Sequence, residues 1–124
     1  MKNVCIIDDD PIYLMIAKRL ISLNQFSVLI FDYRDGNEAY LALKQMHDQG
    51  EKMPDVIFLD INMPIWDGWD FLDEIAKLEL KDTIEVYIVS SSTSPHDREK
   101  AESYPLVKRF LTKPLDIEEL KLIL

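Results

Sequence analysis

The feature that most constrains the fold is an unbroken apolar run, Val56–Leu59, that stops at a single aspartate, Asp60. A short apolar run of this kind is typical of a strand with both faces covered, as in a parallel α/β sheet. Open α/β sheets build their sites at the carboxyl ends of such strands. We therefore take Asp60 as the candidate reacting group.

Four further apolar segments alternate with stretches of helical periodicity, which predicts a strand–helix unit repeated five times. The predicted strands are Asn3–Ile7, Phe26–Phe31, Val56–Leu59, Ile84–Val89 and Val107–Leu111. The predicted helices begin after Asp10, after Asp35, at about Gly68 (running to Leu80), near Pro95 and after Asp116. Short connections between alternating strands and helices force parallel pairing and right-handed crossovers. The sequence thus predicts one doubly wound α/β domain over residues 1–124, a flavodoxin-like (βα)5 fold with strand order 2-1-3-4-5.

The first predicted helix carries apolar residues at helical spacing, with charged residues between them. The apolar stripe consists of Ile12, Ile16, Leu20 and Leu23, joined by Tyr13 and Ala17. We expect this stripe to face the sheet and Lys18 and Arg19 to face outward.

Composition narrows the classes of function. No apolar run approaches the roughly 20 residues of a membrane span, and the segment Met1–Val4 lacks the long apolar stretch of a secretory signal. The single cysteine, Cys5, lies inside an apolar strand, which favours a buried free thiol in a reducing, cytoplasmic compartment. The net charge of −9 argues against direct binding of nucleic acid and fits a cation or a basic protein surface better.

Polar side chains follow four of the five predicted strands. The first strand brings Asp8 and Asp9, the third Asp60, the fourth Ser90 and the fifth Lys113. Parallel strands end at one edge of the sheet, and the order 2-1-3-4-5 makes the first and third strands neighbours at the switch point. We therefore expect the three carboxylates to lie together, with the hydroxyl and the ammonium beside them.

Three carboxylates in a small space repel one another, and a divalent cation relieves that repulsion. Oxygen ligands beside a phosphate suit Mg²⁺, with Mn²⁺ as a possible substitute. Lys113 would place a positive charge on the other side of a phosphoryl group, and Ser90 could donate a hydrogen bond to it. Each residue alone has a simpler interpretation, as a loop residue or a solvated lysine, but their conjunction predicts that Asp60 accepts a phosphoryl group.

At this point the chain resembles the receiver (CheY-like) domains of bacterial two-component response regulators, over essentially its whole length. The segments that carry the resemblance are Ile6–Asp10, Phe58–Pro64, Asp67–Gly68, Val89–Ser91 and Thr112–Pro114. The resemblance implies a phosphorelay signalling domain rather than an enzyme, with at most self-phosphorylation from small donors and autodephosphorylation. Its implied partners are a sensor histidine kinase or phosphotransfer protein and an output domain or target protein, with no membrane contact.

The resemblance also implies roles for single residues at the acidic edge. Asp60 would be the phosphoacceptor. Asp9, Asp60 and the backbone carbonyl of Asn62 would ligate Mg²⁺, with Asp8 helping through a water.

Further roles are implied on the last two strands. Ser90 would be the switch hydroxyl, the small Ser91 would keep the approach open, and Lys113 would contact the phosphate. The Lys113–Pro114 peptide bond is expected to be cis. Phe110 matches the switch aromatic without a hydroxyl, so its inward state would rest on packing, and the face that changes would be formed by helix four, strand five and helix five.

Two other functions compete with this one. The pattern Asp8-x-Asp10 after an apolar strand resembles the nucleophile pair of haloacid-dehalogenase-like phosphatases, and Ser90 and Lys113 echo that family's other groups. The short chain and the Asp60 segment, which that family does not need, count against it. A pseudo-receiver that only binds partners is the other alternative, although the acidic and lysine residues that such domains lose are present here.

Two tryptophans flank Asp67–Gly68. Trp69 is expected to pack on the sheet or a neighbouring helix. The role of Trp66 stays open between a partner contact, a lid near the metal and a ring lying on the loop.

Overall fold

Five strands and five helices alternate along the chain in the structure, a computed structural model that describes residues 2–24, 26–80, 84–92 and 94–124. The strands are β1 (Lys2–Ile7), β2 (Val28–Tyr33), β3 (Val56–Leu59), β4 (Glu85–Ser90) and β5 (Val107–Thr112). The helices are α1 (Pro11–Leu23), α2 (Gly36–Asp48), α3 (Gly68–Ile75), α4 (Pro95–Ala101) and α5 (Ile117–Ile123). All neighbouring strands pair in parallel in the order β2-β1-β3-β4-β5, which confirms the predicted fold class.

Strand β3 lies at the centre of the sheet and all four of its residues are buried. Ile57 and Leu59 point into a core shared with α2 and α3, whereas Val56 and Phe58 point into a second core shared with α1 and α5. The apolar run is unbroken because helices cover both faces. Cys5 on β1 is also fully buried, and burial raises the pKa of its thiol.

Of the element bounds predicted above, those of β2 and α3 differ from the structure by two residues or more, and the other strand bounds by at most one. Strand β2 spans Val28–Tyr33 instead of Phe26–Phe31, because its pairing with β1 runs from Lys2 to Ile7 and carries the polar end of the segment into the edge of the sheet. Helix α3 ends at Ile75 rather than Leu80, because the next residues close tighter i to i−3 hydrogen bonds.

The apolar stripe predicted for α1 is only partly right: Ala17 is buried and Tyr13 and Leu20 pack half-buried against the core, whereas the other three members are exposed. The residues that α1 buries are Leu14, Ala17 and Ile21. Ile12, Ile16 and Leu23 are instead 63%, 56% and 67% exposed, and Met15 is 63% exposed. Two apolar stripes share this helix, and periodicity alone cannot tell which one meets the sheet.

Both tryptophans pack against other aromatic rings. Trp69 on α3 stacks on Tyr104 with ring centroids 5.5 Å apart, in the turn that follows α4. Trp66 lies 5.6 Å from the ring of Tyr40 on α2.

Among the helices of the described ranges, none is long and apolar enough to cross a membrane.

Candidate functional site at the carboxyl edge of the sheet

The carboxyl ends of β1, β3, β4 and β5 bring Asp8, Asp60, Ser90 and Lys113 to one edge. Asp8 is 1% exposed, Asp60 6% and Ser90 0%. The ammonium of Lys113 lies 2.7 Å from Asp8 Oδ2 and 3.6 Å from Asp60 Oδ2. The predicted convergence of these residues is therefore present in the structure.

Three carboxylates form the acidic part of this edge. Carboxylate oxygens of Asp8, Asp9 and Asp60 all lie within 4.8 Å of one another. Asp9 is exposed while the other two are buried, so the cluster opens to solvent on one side. An all-oxygen donor set of this kind fits Mg²⁺ or Mn²⁺, and the cluster could hold such an ion.

The backbone of the neighbouring loops holds these carboxylates in place. Asp8 Oδ1 accepts a hydrogen bond from the Asp10 amide at 2.9 Å, and Asp60 Oδ1 accepts one from the Asn62 amide at 3.2 Å. Asp10 itself is exposed and caps α1, since its side chain accepts from the Ile12 amide at 2.9 Å. Its carboxylate is thereby used at the helix terminus.

Burial sets the electrostatics of Asp60. Desolvation, followed by repulsion from Asp8, raises the pKa of Asp60 to about 6, although Lys113 acts in the opposite direction. Burial lowers the pKa of Lys113, but its ion pairs with Asp8 and Asp60 outweigh burial and hold that pKa above its usual value. The site is therefore a buried acid group that is costly to ionise, beside an ammonium that stays charged.

The hydroxyl of Ser90 sits between the acidic loop and the chain that leads to α4. Ser90 Oγ lies 3.3 Å from Asn62 Nδ2 and accepts a hydrogen bond from the Ser92 amide at 3.0 Å. Ser92 Oγ in turn donates to Asp97 on α4 at 2.7 Å. Ser91 is exposed. Sequence reasoning did not single out Ser92, whose signal was its place two residues after the strand end.

Close backbone contact fixes the loop after β3. A Cβ on Gly68 would lie 2.7 Å from the carbonyl oxygen of Asp60 and 2.7 Å from Ile61 Cα, so glycine is required for this approach. A reciprocal capping box between Asp67 and Asp70 starts α3 at the same point. In the loop between β3 and α3, Ile65 is 95% exposed and has a φ of 68°, which is an unusual conformation for a β-branched residue.

Phe110 is half-buried on β5, the strand that pairs with β4, which ends at Ser90. The Arg98 guanidinium of α4 sits 4.8 Å above its ring and donates a hydrogen bond to Thr112 Oγ1 at 2.8 Å. An open groove of about 360 Å³ runs between α4 and β5 beside this pair.

The Lys113–Pro114 peptide bond is cis, as expected.

The sequence predicts Tyr13 only as part of the apolar stripe of α1, yet its ring lies at the site. The ring of Tyr13 on α1 lies 4.3 Å from the Lys113 ammonium. A tyrosine three residues after a helix cap carries no recognisable signal of this contact, because the contact joins the first helix to the residue that follows the last strand.

Comparisons with known proteins agree with this geometry. A family model described as the response regulator receiver domain matches residues 4–124. The probable methanogenesis regulatory protein FilR2 of Methanothrix harundinacea is 30% identical over 118 residues, which cover 95% of this chain and 76% of that protein. The transcriptional regulatory protein HptR of Staphylococcus aureus is 33% identical over 125 residues, and the chain spans 45% of its length.

A solved structure gives the same result for the fold. The crystal structure of a two component response regulator from Cytophaga hutchinsonii is 31% identical, with a TM-score of 0.87. The match covers 98% of this chain and 92% of that one.

Proposed function

This chain belongs to the response regulator receiver domain family, and on that premise we propose that Asp60 is its phosphoacceptor. The chain is a signalling domain of the two-component type, and the proposed domain spans residues 1–124. The observation that carries the proposal is the placement of one buried carboxylate, Asp60, 3.6 Å from the ammonium of Lys113 and within reach of two further carboxylates.

The proposed step is a phosphoryl transfer from a phosphohistidine of a sensor kinase or phosphotransfer protein. An oxygen of Asp60 forms the new P–O bond while the P–N bond to the donor histidine breaks, and its electron pair returns to the imidazole. Lys113 stays charged and offsets the negative charge on the phosphoryl oxygens. Small donors such as acetyl phosphate would serve the same carboxylate, with acetate as the leaving group.

We propose that Asp9, Asp60 and the backbone carbonyl of Asn62 hold a divalent cation, with Asp8 contributing through a water. The buried oxygens of Asp8 and Asp60, both close to the exposed Asp9, support this assignment. A bound Mg²⁺ would supply charge neutralisation for the incoming phosphate. The Oδ2 atom of Asp8 lies 2.7 Å from the Lys113 ammonium, so Asp8 also orients that ammonium.

The proposed switch begins at Ser90. A phosphoryl group on Asp60 would draw the Ser90 hydroxyl inward, away from its present contacts with Asn62 and Ser92. Phe110 would then move into the freed space and leave the Arg98 guanidinium that covers its ring. The face of α4, β5 and α5 would change shape, and with it the affinity for an output domain or target protein.

The partners are proposed to be proteins. The exposed apolar residues Ile12, Met15 and Ile16 lie on the first half of α1, next to the acidic edge. We infer that the phosphodonor protein covers them. With a net charge of −9 the domain is proposed to act through such protein contacts in the cytoplasm rather than by touching nucleic acid.

Labelling with acetyl phosphate tests the proposal. We expect the wild-type domain to gain one phosphoryl group in the presence of Mg²⁺, as seen by intact mass or phosphate-affinity gel, and Asp60→Asn to gain none. Failure of the wild type to label from acetyl phosphate or from any kinase would favour the pseudo-receiver instead.

The same experiment distinguishes the receiver domain from the phosphatase alternative. Continuous hydrolysis of acetyl phosphate that survives Asp60→Asn and is abolished by Asp8→Asn would favour a phosphatase. The present geometry favours the receiver because Asp10, the second acid of the phosphatase pattern, is occupied as the cap of α1.

A further inference from the structure

The Lys113 ammonium has an aromatic neighbour in addition to its two carboxylates. Its Nζ lies 4.3 Å from the centroid of the Tyr13 ring, while it lies 2.7 Å from Asp8 Oδ2 and 3.6 Å from Asp60 Oδ2. A cation within about 6 Å of a ring centroid is attracted by the negative face of the ring. The ammonium is therefore held from two sides, by charge on one and by a π face on the other.

The ring stands on a rigid support. Tyr13 lies in the first turn of α1, whose start is fixed by the cap from Asp10 to the Ile12 amide at 2.9 Å. Its hydroxyl is buried and makes no hydrogen bond with the part of the chain that the structure describes. What Tyr13 gives to the site is therefore the face of its ring.

A flexible lysine side chain needs such a support to serve a reaction at Asp60. Lys113 already makes its shorter ion pair with Asp8, so charge alone would favour the ammonium turning toward Asp8. A ring on the helix side limits the positions that the ammonium can take, and ordering a lysine in advance removes its entropic cost from the reaction.

We propose that Tyr13 is a positioning residue for phosphoryl transfer, whose ring holds the Lys113 ammonium beside Asp60 before the phosphoryl group arrives. The inference rests on the proposed function of Asp60 and adds to it a residue outside the acidic cluster. In this proposal Tyr13 acts on the reaction through Lys113.

Two substitutions separate the ring from the rest of the side chain. Tyr13→Phe keeps the π face and removes a hydroxyl that has no partner among the described residues. Tyr13→Leu keeps apolar bulk and removes the π face. With acetyl phosphate as donor, we expect the labelling rate to be retained in Tyr13→Phe and to fall by about five- to tenfold in Tyr13→Leu. The affinity for Mg²⁺, read from the fluorescence of Trp66 and Trp69, serves as a control for the fold. It should stay the same in both variants, whereas a general loss of structure would change it.

A double-mutant cycle identifies the route of the effect. In a Lys113→Met background, Tyr13→Leu should slow labelling no further, because the ring would have no ammonium to hold. An equal slowing in both backgrounds, an equal slowing by Phe and Leu, or no slowing by Leu would overturn the proposal.

An NMR measurement without phosphate keeps this inference separate from the function of Asp60. The ε-methylene protons of Lys113 should show an upfield ring-current shift in the wild type and in Tyr13→Phe, and none in Tyr13→Leu. Absence of the shift in the wild type overturns the positioning role. If the shift is present but the wild type takes up no phosphoryl group, the proposed phosphoacceptor fails, and with it the role of Tyr13 in transfer.

Discussion

At the scale of single residues, Asp60 combines its proposed role as phosphoacceptor with a cost to folding. Its side chain is 6% exposed, and burial together with Asp8 raises its pKa to about 6. The unfolded chain ionises the same carboxyl near its ordinary pKa of about 3.9. Between these two values the native state binds more protons than the unfolded state, so the contribution of Asp60 to stability decreases as pH rises and stays unfavourable above about 6.

Replacing the carboxylate should therefore stabilise the metal-free protein. We expect Asp60→Asn to increase the free energy of unfolding by about 2 kcal/mol at pH 7.5 in the presence of a chelator, because the neutral amide avoids the ionisation cost. The gain should shrink as pH falls from about 6 toward 4, where the native carboxyl is already protonated. Urea unfolding at a series of pH values measures it.

The matched control for this measurement is Asp10→Asn. Asp10 is an exposed helix cap, and asparagine caps as well as aspartate does. The explanation is wrong if Asp60→Asn is no more stable than the wild type at pH 7.5, or if the gain is the same at pH 4.

At the scale of elements, α4 is joined to the site by side chains more than by core packing. Of its seven residues only Ala101 is buried. Its first turn is linked to the end of β4 through the Ser92 hydroxyl, which donates to Asp97 at 2.7 Å and accepts from the Ser94 amide at 3.2 Å. Few buried contacts and exposed hydrogen bonds are typical of an element that opens locally.

Removing that hydroxyl should loosen α4 without unfolding the domain. In Ser92→Ala we expect amide hydrogens of α4 to exchange about fivefold faster, because the hydrogen bonds of the hydroxyl with Asp97 and with the Ser94 amide are both lost, at a combined net cost of about 1 kcal/mol. The amides of β3 should be unchanged. Ser103→Ala is the control, since the Ser103 hydroxyl donates to the Lys100 carbonyl at the far end of the helix and does not touch the site. Equal acceleration by both substitutions, or acceleration throughout the protein, would contradict the link.

At the scale of the whole molecule, whether a feature could be predicted from the sequence depends on how local its signal in the chain is. The buried run Val56–Leu59 indicated a two-sided sheet because every residue in it must be apolar when helices cover both faces. The convergence of Asp60 and Lys113 followed from topology, since parallel strands end together. The phase of α1 could not be predicted, because Ile16 and Leu14 are equally apolar and tertiary packing alone decides which is buried. The contact of Tyr13 with Lys113 joins distant parts of the chain, and neither of the two sequence segments carries a pattern that predicts it.

The orientation of α1 has a consequence for the molecule as a whole, because it leaves an apolar surface uncovered beside the acidic edge. Ile12 and Met15 are each 63% exposed and Ile16 is 56% exposed, and all three lie within two turns of the cap of α1. Scattered exposed apolar residues are normal, whereas a contiguous set is typical of a binding surface. Under the proposed function, a protein donor would bring its histidine to Asp60 and would cover the surface around that edge, whereas acetyl phosphate would need no such contact.

The two kinds of donor should consequently respond differently to a charge on this helix. We expect Ile16→Glu to slow phosphotransfer from a phosphorylated histidine phosphotransfer protein by tenfold or more, about the effect of one buried interface residue, while labelling by acetyl phosphate stays within about twofold of the wild type. Leu41→Glu is the matched control, because Leu41 is 57% exposed on α2, and α2 packs against the core on the opposite face of the sheet. Equal slowing with both donors would mean that the substitution disturbs Asp60 itself, and an equal effect of Leu41→Glu would mean that added negative charge, rather than the surface of α1, repels the protein donor.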